Sequence, residues 1–332
     1  MQRTKVLISL HILLTPLPCL LHAQRTSHLQ RVYLPAYDIP AGSAPRLFVY
    51  TNRHSAFYCG VLNGENSSGS HGITRAKQKL FENYWIQLGD SVLDPSRARV
   101  HATPAGFVRH YPLHNTQEHV SFSDSLALLT VSIKSDYHGE VRVFPGFSLW
   151  QNAIETAGNG MYALRDSSVQ AAAAVLGARG GWEITRPKDL QKFANPAPMY
   201  MPACFVGETD GVLHLTIEIA PANDRLSPRS PRELFRITKQ KQLAISDYLA
   251  SLDFACSDTS TTDAFNWIAS SMRAFVMQQH GAGIYAGLPE YNDSWGRDTF
   301  IAFPGALLVT GQFATAKAVL RSSLHFMDRD SN

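Results

Sequence analysis

The hydrophobic period of this chain changes at Leu226-Ser-Pro-Arg-Ser230, and the change divides it into two kinds of structure. Upstream lie short apolar runs, among them Arg46-Leu-Phe-Val-Tyr50, Phe57-Tyr-Cys-Gly-Val-Leu62, Leu126-Ala-Leu-Leu-Thr-Val-Ser-Ile133, Val141-Arg-Val-Phe144 and Val212-Leu-His-Leu-Thr-Ile-Glu-Ile219. Several alternate with period two, the mark of half-buried strands, and Gly, Pro, Asn and Ser punctuate them. Regular short strands with turn signals predict an antiparallel β-sandwich. Downstream, the apolar residues take helical spacing. The fold class expected is therefore mixed β and α in separate domains, strands first.

Ser230-Pro-Arg-Glu233 is a capping box with proline at the first helical position, which predicts a helix from Pro231 to Leu252. A second helix is expected after Ser260, with Asp263 in its first turn, an apolar face of Phe265, Ile268, Met272, Phe275 and Val276, and a stop at His280-Gly281. A third holds Ile301 and Leu307 and must kink or restart at Pro304, whose ring cannot donate to the carbonyl of Phe300. The last, Phe313 to Met327, lines up Phe313, Ala316, Val319, Leu320, Leu324 and Met327 on its expected buried side.

The opening residues read as an export leader. Arg3 and Lys5 precede the apolar run Val6 to Leu14, and Leu21-His-Ala23 offers a small residue at the cut, so cleavage is expected after Ala23 with a periplasmic or secreted destination. Pro16 and Pro18 break the apolar stretch, which argues against a retained membrane anchor. Removing residues 1–23 takes away Arg3 and Lys5, leaving 30 − 2 = 28 basic against 27 acidic side chains. A balance this close to neutral, with no basic cluster, excludes nucleic acid as the expected partner. Cys59, Cys204 and Cys256 are odd in number and far apart, and buried, unpaired thiols are the expectation.

Gly64-Glu-Asn-Ser-Ser-Gly-Ser-His-Gly72 lacks the Gly-Lys-Ser/Thr ending of a phosphate cradle and is expected to be a surface loop, and Gly177-Ala-Arg-Gly-Gly181 a turn. The thirteen histidines include no His-Glu-x-x-His spacing, and neither Cys-x-x-Cys nor Gly-x-Ser-x-Gly occurs. The chain therefore presents no recognisable metal, cofactor or serine-hydrolase signature. Chemistry concentrates instead in Ala286-Gly-Leu-Pro-Glu-Tyr-Asn-Asp-Ser-Trp-Gly-Arg-Asp-Thr-Phe300. Tyr291 and Trp295 offer ring faces to the C–H surface of a sugar, while Arg297 and Asp298 offer a donor fork and a charged acceptor for its hydroxyls. An Arg-Asp pair at a helix start has a purely structural reading too, with the acid favoured by the helix dipole.

This stretch resembles the opening of the catalytic domain in glycogen debranching enzymes of the amylo-α-1,6-glucosidase type, and the likeness continues through Ile301-Ala-Phe-Pro-Gly-Ala-Leu-Leu-Val-Thr-Gly311. The Tyr-x-x-x-Trp-x-Arg-Asp spacing is similar to the innermost sugar subsite of glucoamylases. Tyr50 to Gly64 is similar, more faintly, to the start of the N-terminal sandwich domain of bacterial debranching enzymes. The resemblance implies an N-terminal antiparallel β-sandwich followed by the first helices of an (α/α) six-hairpin barrel. It also implies a branched α-glucan or oligosaccharide substrate, and hydrolysis of α-1,6-linked glucose with inversion.

The domains expected are a leader at 1–23, a sandwich at 24–229, a linker helix at 230–258 and barrel helices at 259–332. Glycoside hydrolysis needs two carboxyl groups, and in the families resembled the acid and base come from much later helices. The chain is thus expected to hold substrate-binding residues Tyr291, Trp295, Arg297 and Asp298 but no catalytic pair, and to be inactive alone. Glu290 and Asp293 flank Tyr291 and are the local alternative for such a pair. A noncatalytic carbohydrate-binding protein and a glucoamylase- or trehalase-like exo-glucosidase are the rival readings.

Overall fold

The computed structural model describes residues 34–66, 68–148, 153–187, 200–252, 254 and 256–330. The expected leader, residues 1–23, lies outside them, as does the side chain of Met327. The N-terminal part is built from β1 (Tyr37–Ile39), β2 (Leu47–Thr51), β3 (Ala56–Val61), β4 (Gly72–Arg75), β5 (Gln78–Leu88), β6 (Ser91–Val92), β7 (Arg99–Thr103) and β8 (Gly106–Tyr111). It continues with β9 (Thr116–Phe122), β10 (Ala127–Lys134), β11 (Gly139–Phe147), β12 (Ile154–Gly158), β13 (Met161–Arg165), β14 (Val169–Thr185) and β15 (Cys204–Pro221).

All fifteen strands join one antiparallel sheet whose main path runs β1-β7-β8-β9-β10-β15-β11-β5-β4-β3-β2. The long strand β15 takes β10 along residues 212–219 and β11 along residues 205–209, while β14 follows its other edge. The sheet curls on itself. Phe48 of β2, at one end of the path, meets Phe107 of β8, near the other, with ring centroids 5.1 Å apart. Phe81 and Phe147 pack edge to face at 5.8 Å deeper in the same core. Burial on this scale is what offsets the entropy of ordering so long a β chain.

A carboxylate sits inside this core. Glu118 accepts from the Tyr84 and Tyr111 hydroxyls, each at 2.6 Å, and from Arg109 at 3.1 Å. Arg109 also donates to the carbonyls of Leu62 and Val61 at 2.7 and 2.8 Å. Burial pushes both tyrosine hydroxyls well above their ordinary pKa, and the neighbouring Glu118 adds to the effect. Every charged group of the cluster is partnered, the condition under which a buried ion pair is tolerated. Its consequence is positional: Arg109 ties down the end of β3 and the loop that follows.

Helix α1 (Pro231–Ser251) starts where the capping box predicts, with the Ser230 hydroxyl accepting from the Glu233 amide at 3.3 Å. Leu234 and Ile237 cover Leu128 of β10. Helix α2 (Thr259–Phe275) differs from expectation at both ends. Asp258, two residues before Ser260, is the cap and accepts from the amides of Ser260 and Thr261, which leaves Asp263 a turn deeper. The helix ends at Phe275, short of His280, because β16 (Val276–Met277) pairs with β17 (Gly283–Ile284) in a small hairpin. Of the apolar face expected for α2, Ile268 is 63% exposed, while Ala269 and Ser270 are buried in its place.

Helix α3 (Gly296–Phe303) gives way to a single wide turn over Pro304–Leu308, closed by the Val309 amide on the Pro304 carbonyl at 2.9 Å. This is the adjustment that the missing proline donor imposes. Helix α4 (Phe313–Asp330) buries Ala316 and Val319 as expected but leaves Phe313, Leu320 and Leu324 exposed. Two further expectations are corrected. Cys59 and Cys204 are buried free thiols, whereas Cys256 is exposed. Residues 64–72 are not simply a surface loop: Asn66 and His71 are buried, and Asn66 accepts from the Val61 amide at 3.0 Å.

Candidate active site

The aromatic loop is held by its own backbone. The Tyr285 amide donates to Phe275, Ala286 to Asp293 and Gly287 to Tyr291, at 3.0, 3.0 and 3.1 Å. Thr299, on the buried side of α3, donates its hydroxyl to the Ile284 carbonyl at 3.0 Å and lies 3.0 Å from the Ser294 hydroxyl. The start of α3 is thereby bolted to the β16–β17 hairpin. Side chains at 291, 295, 297 and 298 project from a fixed base.

Tyr291 is 60% exposed and Trp295 48% exposed, their ring centroids 6.0 Å apart at an interplanar angle of 81°. The edge-to-face pairing is the geometry aromatic quadrupoles prefer, and it leaves ring surface free. Arg297 extends into solvent, with its nearest guanidinium nitrogen 3.9 Å from Asp298 Oδ2, too far for a hydrogen bond. That same Oδ2 atom is buried and has no hydrogen-bond partner. An acceptor removed from water with no hydrogen bond, and only the Arg297 guanidinium for a charged neighbour among the described residues, is unusual.

Glu290 and Asp293 are otherwise engaged. Ser70, from the loop anchored by Arg109, donates to Glu290 at 3.2 Å, and Lys77, at the β4–β5 turn, forms an ion pair with Asp293. Burial would raise the Asp293 carboxyl, but the Lys77 hydrogen bond and the Ser294 amide outweigh it and hold the group below the usual carboxylate range. A carboxylate held ionised by a lysine is poorly suited to donate a proton to a leaving oxygen. Ser70 and Lys77 carried no signal in the sequence, because they meet the loop only after more than two hundred intervening residues have folded.

Beside the loop opens a cleft of about 480 Å³ bounded by Tyr285, Asp293, Ser294, Phe300 and Ser322. Tyr291, Trp295, Arg297 and Asp298 stand outside its lining. Among the described residues no group of three or more His, Cys, Asp or Glu side chains gathers as a metal site.

Residues 250–329 match the amylo-alpha-1,6-glucosidase family model. The match takes in α2, the hairpin, the aromatic loop, α3 and most of α4, and so contains all four residues expected to touch sugar. Among solved structures, a bacterial glucoamylase complexed with acarbose overlays 85% of this chain with a TM-score of 0.55 at 11% sequence identity. The chain spans 50% of that glucoamylase's length. A putative kojibiose phosphorylase from human microbiome (8% identity, TM-score 0.39) covers 76% of this chain and 36% of its own. A family GH92 alpha-mannosidase from Bacteroides thetaiotaomicron (10% identity, TM-score 0.39) covers 76% of this chain and 40% of its own. No curated protein sequence matches the chain. The antiparallel sheet followed by helices is thus similar in fold to that glucoamylase, and residues 250–329 at its C-terminal end are similar to the amylo-alpha-1,6-glucosidase family model.

Proposed function

We propose that this chain is the sugar-holding part of an exported, debranching-type α-glucosidase that releases α-1,6-linked glucose from branched glucans. In this reading the curled sheet corresponds to an N-terminal sandwich, α1 to a linker, and the later helices to the opening of a six-hairpin barrel. Tyr291 and Trp295 form the wall of the terminal subsite, and Arg297 and Asp298 hold the hydroxyls of the glucose placed there. The observation that carries the reading is the pair of exposed, edge-to-face rings of Tyr291 and Trp295 on the loop that runs directly into Arg297 and Asp298. Sugar hydroxyls can donate to the Asp298 carboxylate and accept from the Arg297 guanidinium. The acid and base of hydrolysis are not assigned within these residues, since Lys77 and Ser70 occupy the one local pair of carboxyl groups.

Titration of the chain with acarbose by calorimetry, alongside glucose-release assays on a branched limit dextrin, tests this. The expected outcome is saturable binding, weakened at least tenfold by Asp298→Asn, with no sustained glucose release. Absence of binding would sink the subsite assignment. Glucose release that survives Asp298→Asn but disappears in Glu290→Gln would instead place a catalytic carboxylate in the loop.

A further inference from the structure

The seam between α1, α2 and the sheet gathers more positive than negative charge. Lys241 of α1 is 3% exposed, yet it donates to a single protein acceptor, the Phe122 carbonyl at 2.7 Å, and otherwise stands over the Tyr50 ring at 5.0 Å. Among the described residues its ammonium group takes part in no ion pair. The nearby carboxylate, Asp124, is committed to Arg273 of α2 through contacts of 2.6 and 3.4 Å. Arg53 adds a third cation close enough to interact with both, and its Nε is buried without a partner. Three cations therefore share one carboxylate.

Between these groups lies a pocket of about 70 Å³ bounded by Tyr50, Thr51, Asp124, Lys241, Ser270 and Arg273. Ser270 is buried, and its hydroxyl has no hydrogen-bond partner. A water could satisfy the hydroxyl but would leave the excess charge uncompensated, and a buried charge without a counter-charge is costly. A small anion would answer both needs, accepting from Ser270 Oγ and from the ammonium protons that Phe122 does not take. From this geometry we propose that the pocket is a binding site for a small monovalent inorganic anion, of halide size, which ties α1 and α2 to the sheet. Burial draws the Lys241 ammonium down to about 8, and a bound anion would draw it back up.

The test is thermal melting of the full chain at fixed ionic strength, with sodium gluconate progressively replaced by sodium chloride or sodium bromide. A ligand that binds only the folded state raises Tm along a saturation curve. We expect a rise of several degrees with either halide, and no halide dependence in Lys241→Met. Should Lys241→Met fail to fold, Ser270→Ala removes only the orphan hydroxyl and should shift the half-saturating halide concentration upward severalfold. Crystals grown in sodium bromide should show an anomalous peak between Lys241 Nζ and Ser270 Oγ. Melting that ignores halide, a shift that rises without saturating and equally in both variants, or a pocket without bromine scattering each overturns the proposal.

Discussion

At the scale of single residues, the aromatic loop was the most legible part of the molecule. Tyr291, Trp295, Arg297 and Asp298 lie within eight consecutive positions, so one turn of loop and one turn of helix suffice to bring them together. The orphaned state of Asp298 Oδ2, by contrast, follows from burial that no local pattern announces. If a sugar hydroxyl satisfies that atom in a longer enzyme containing this chain, Asp298→Ala forfeits about 1–3 kcal/mol of transition-state stabilisation. That corresponds to a fall in kcat/KM of roughly fivefold to 160-fold. Tm should scarcely change, and unfolding with normal kinetics in the surviving folded fraction would return Asp298 to a structural role. Arg297→Lys should also lower kcat/KM, since lysine keeps the charge but loses the planar fork. Lys77→Ala should cost only about 0.2–1 kcal/mol of stability, as the Lys77–Asp293 pair is partly exposed. Its larger effect should be on acarbose affinity, read by calorimetry, because the loop loses its brace on the sheet.

Elements were legible where one residue type dominates the decision and obscure where two compete. Ser230-Pro231 opens α1 as its sequence demands, yet α2 has two cap candidates two residues apart and starts from the earlier one, Asp258, which takes the amides of Ser260 and Thr261. Hydrogen bonds from Thr261 and Ser260 draw the Asp258 carboxyl down to about 2. Because the folded value lies below the unfolded one, the stabilisation is present above the ordinary aspartate pKa and is lost as pH falls toward 2. Asp258→Ala should therefore lower Tm at neutral pH and flatten its acid dependence between about pH 4 and 2, while leaving acarbose binding unchanged. An unaltered Tm would restore Ser260 as the start. The run Ala171 to Ala174 in β14 teaches the opposite lesson. Alanine is the best helix former, but here the run is paired on both edges by β13 and β15, and tertiary pairing overrides the propensity.

For the molecule as a whole, the strand-then-helix division was readable from the change of hydrophobic period, whereas the way the sheet curls was not. Phe48 meeting Phe107 is a property of the complete sheet, which no window of sequence contains. Solvent exposure of the helical part was likewise hidden, since periodicity marks an apolar face without saying what covers it. Ile268, Ile301, Val309, Phe313 and Leu324 form apolar surface on α2, α3, α4 and their connections, while the sheet fully encloses Phe81, Phe122, Phe147 and Phe205. Limited proteolysis should accordingly cut first beyond about residue 255 and leave a resistant core that includes β15. Light scattering should show mass rising with concentration, as exposed apolar surface favours association. Uniform resistance of a strict monomer through α4 would show that the helices are stable as they stand.

The position of β15 also sets a timetable. Ala127 of β10 pairs with Ile219, and Gly139 of β11 with Thr209, so neither strand can gain this neighbour until most of the following hundred residues are free to fold. Nascent β10 and β11 must wait as open edges, the state in which strands most readily pair with the wrong chain. Closure of the sheet therefore waits on one strand: the interval of open edges ends when β15 becomes available and joins β10 to β11.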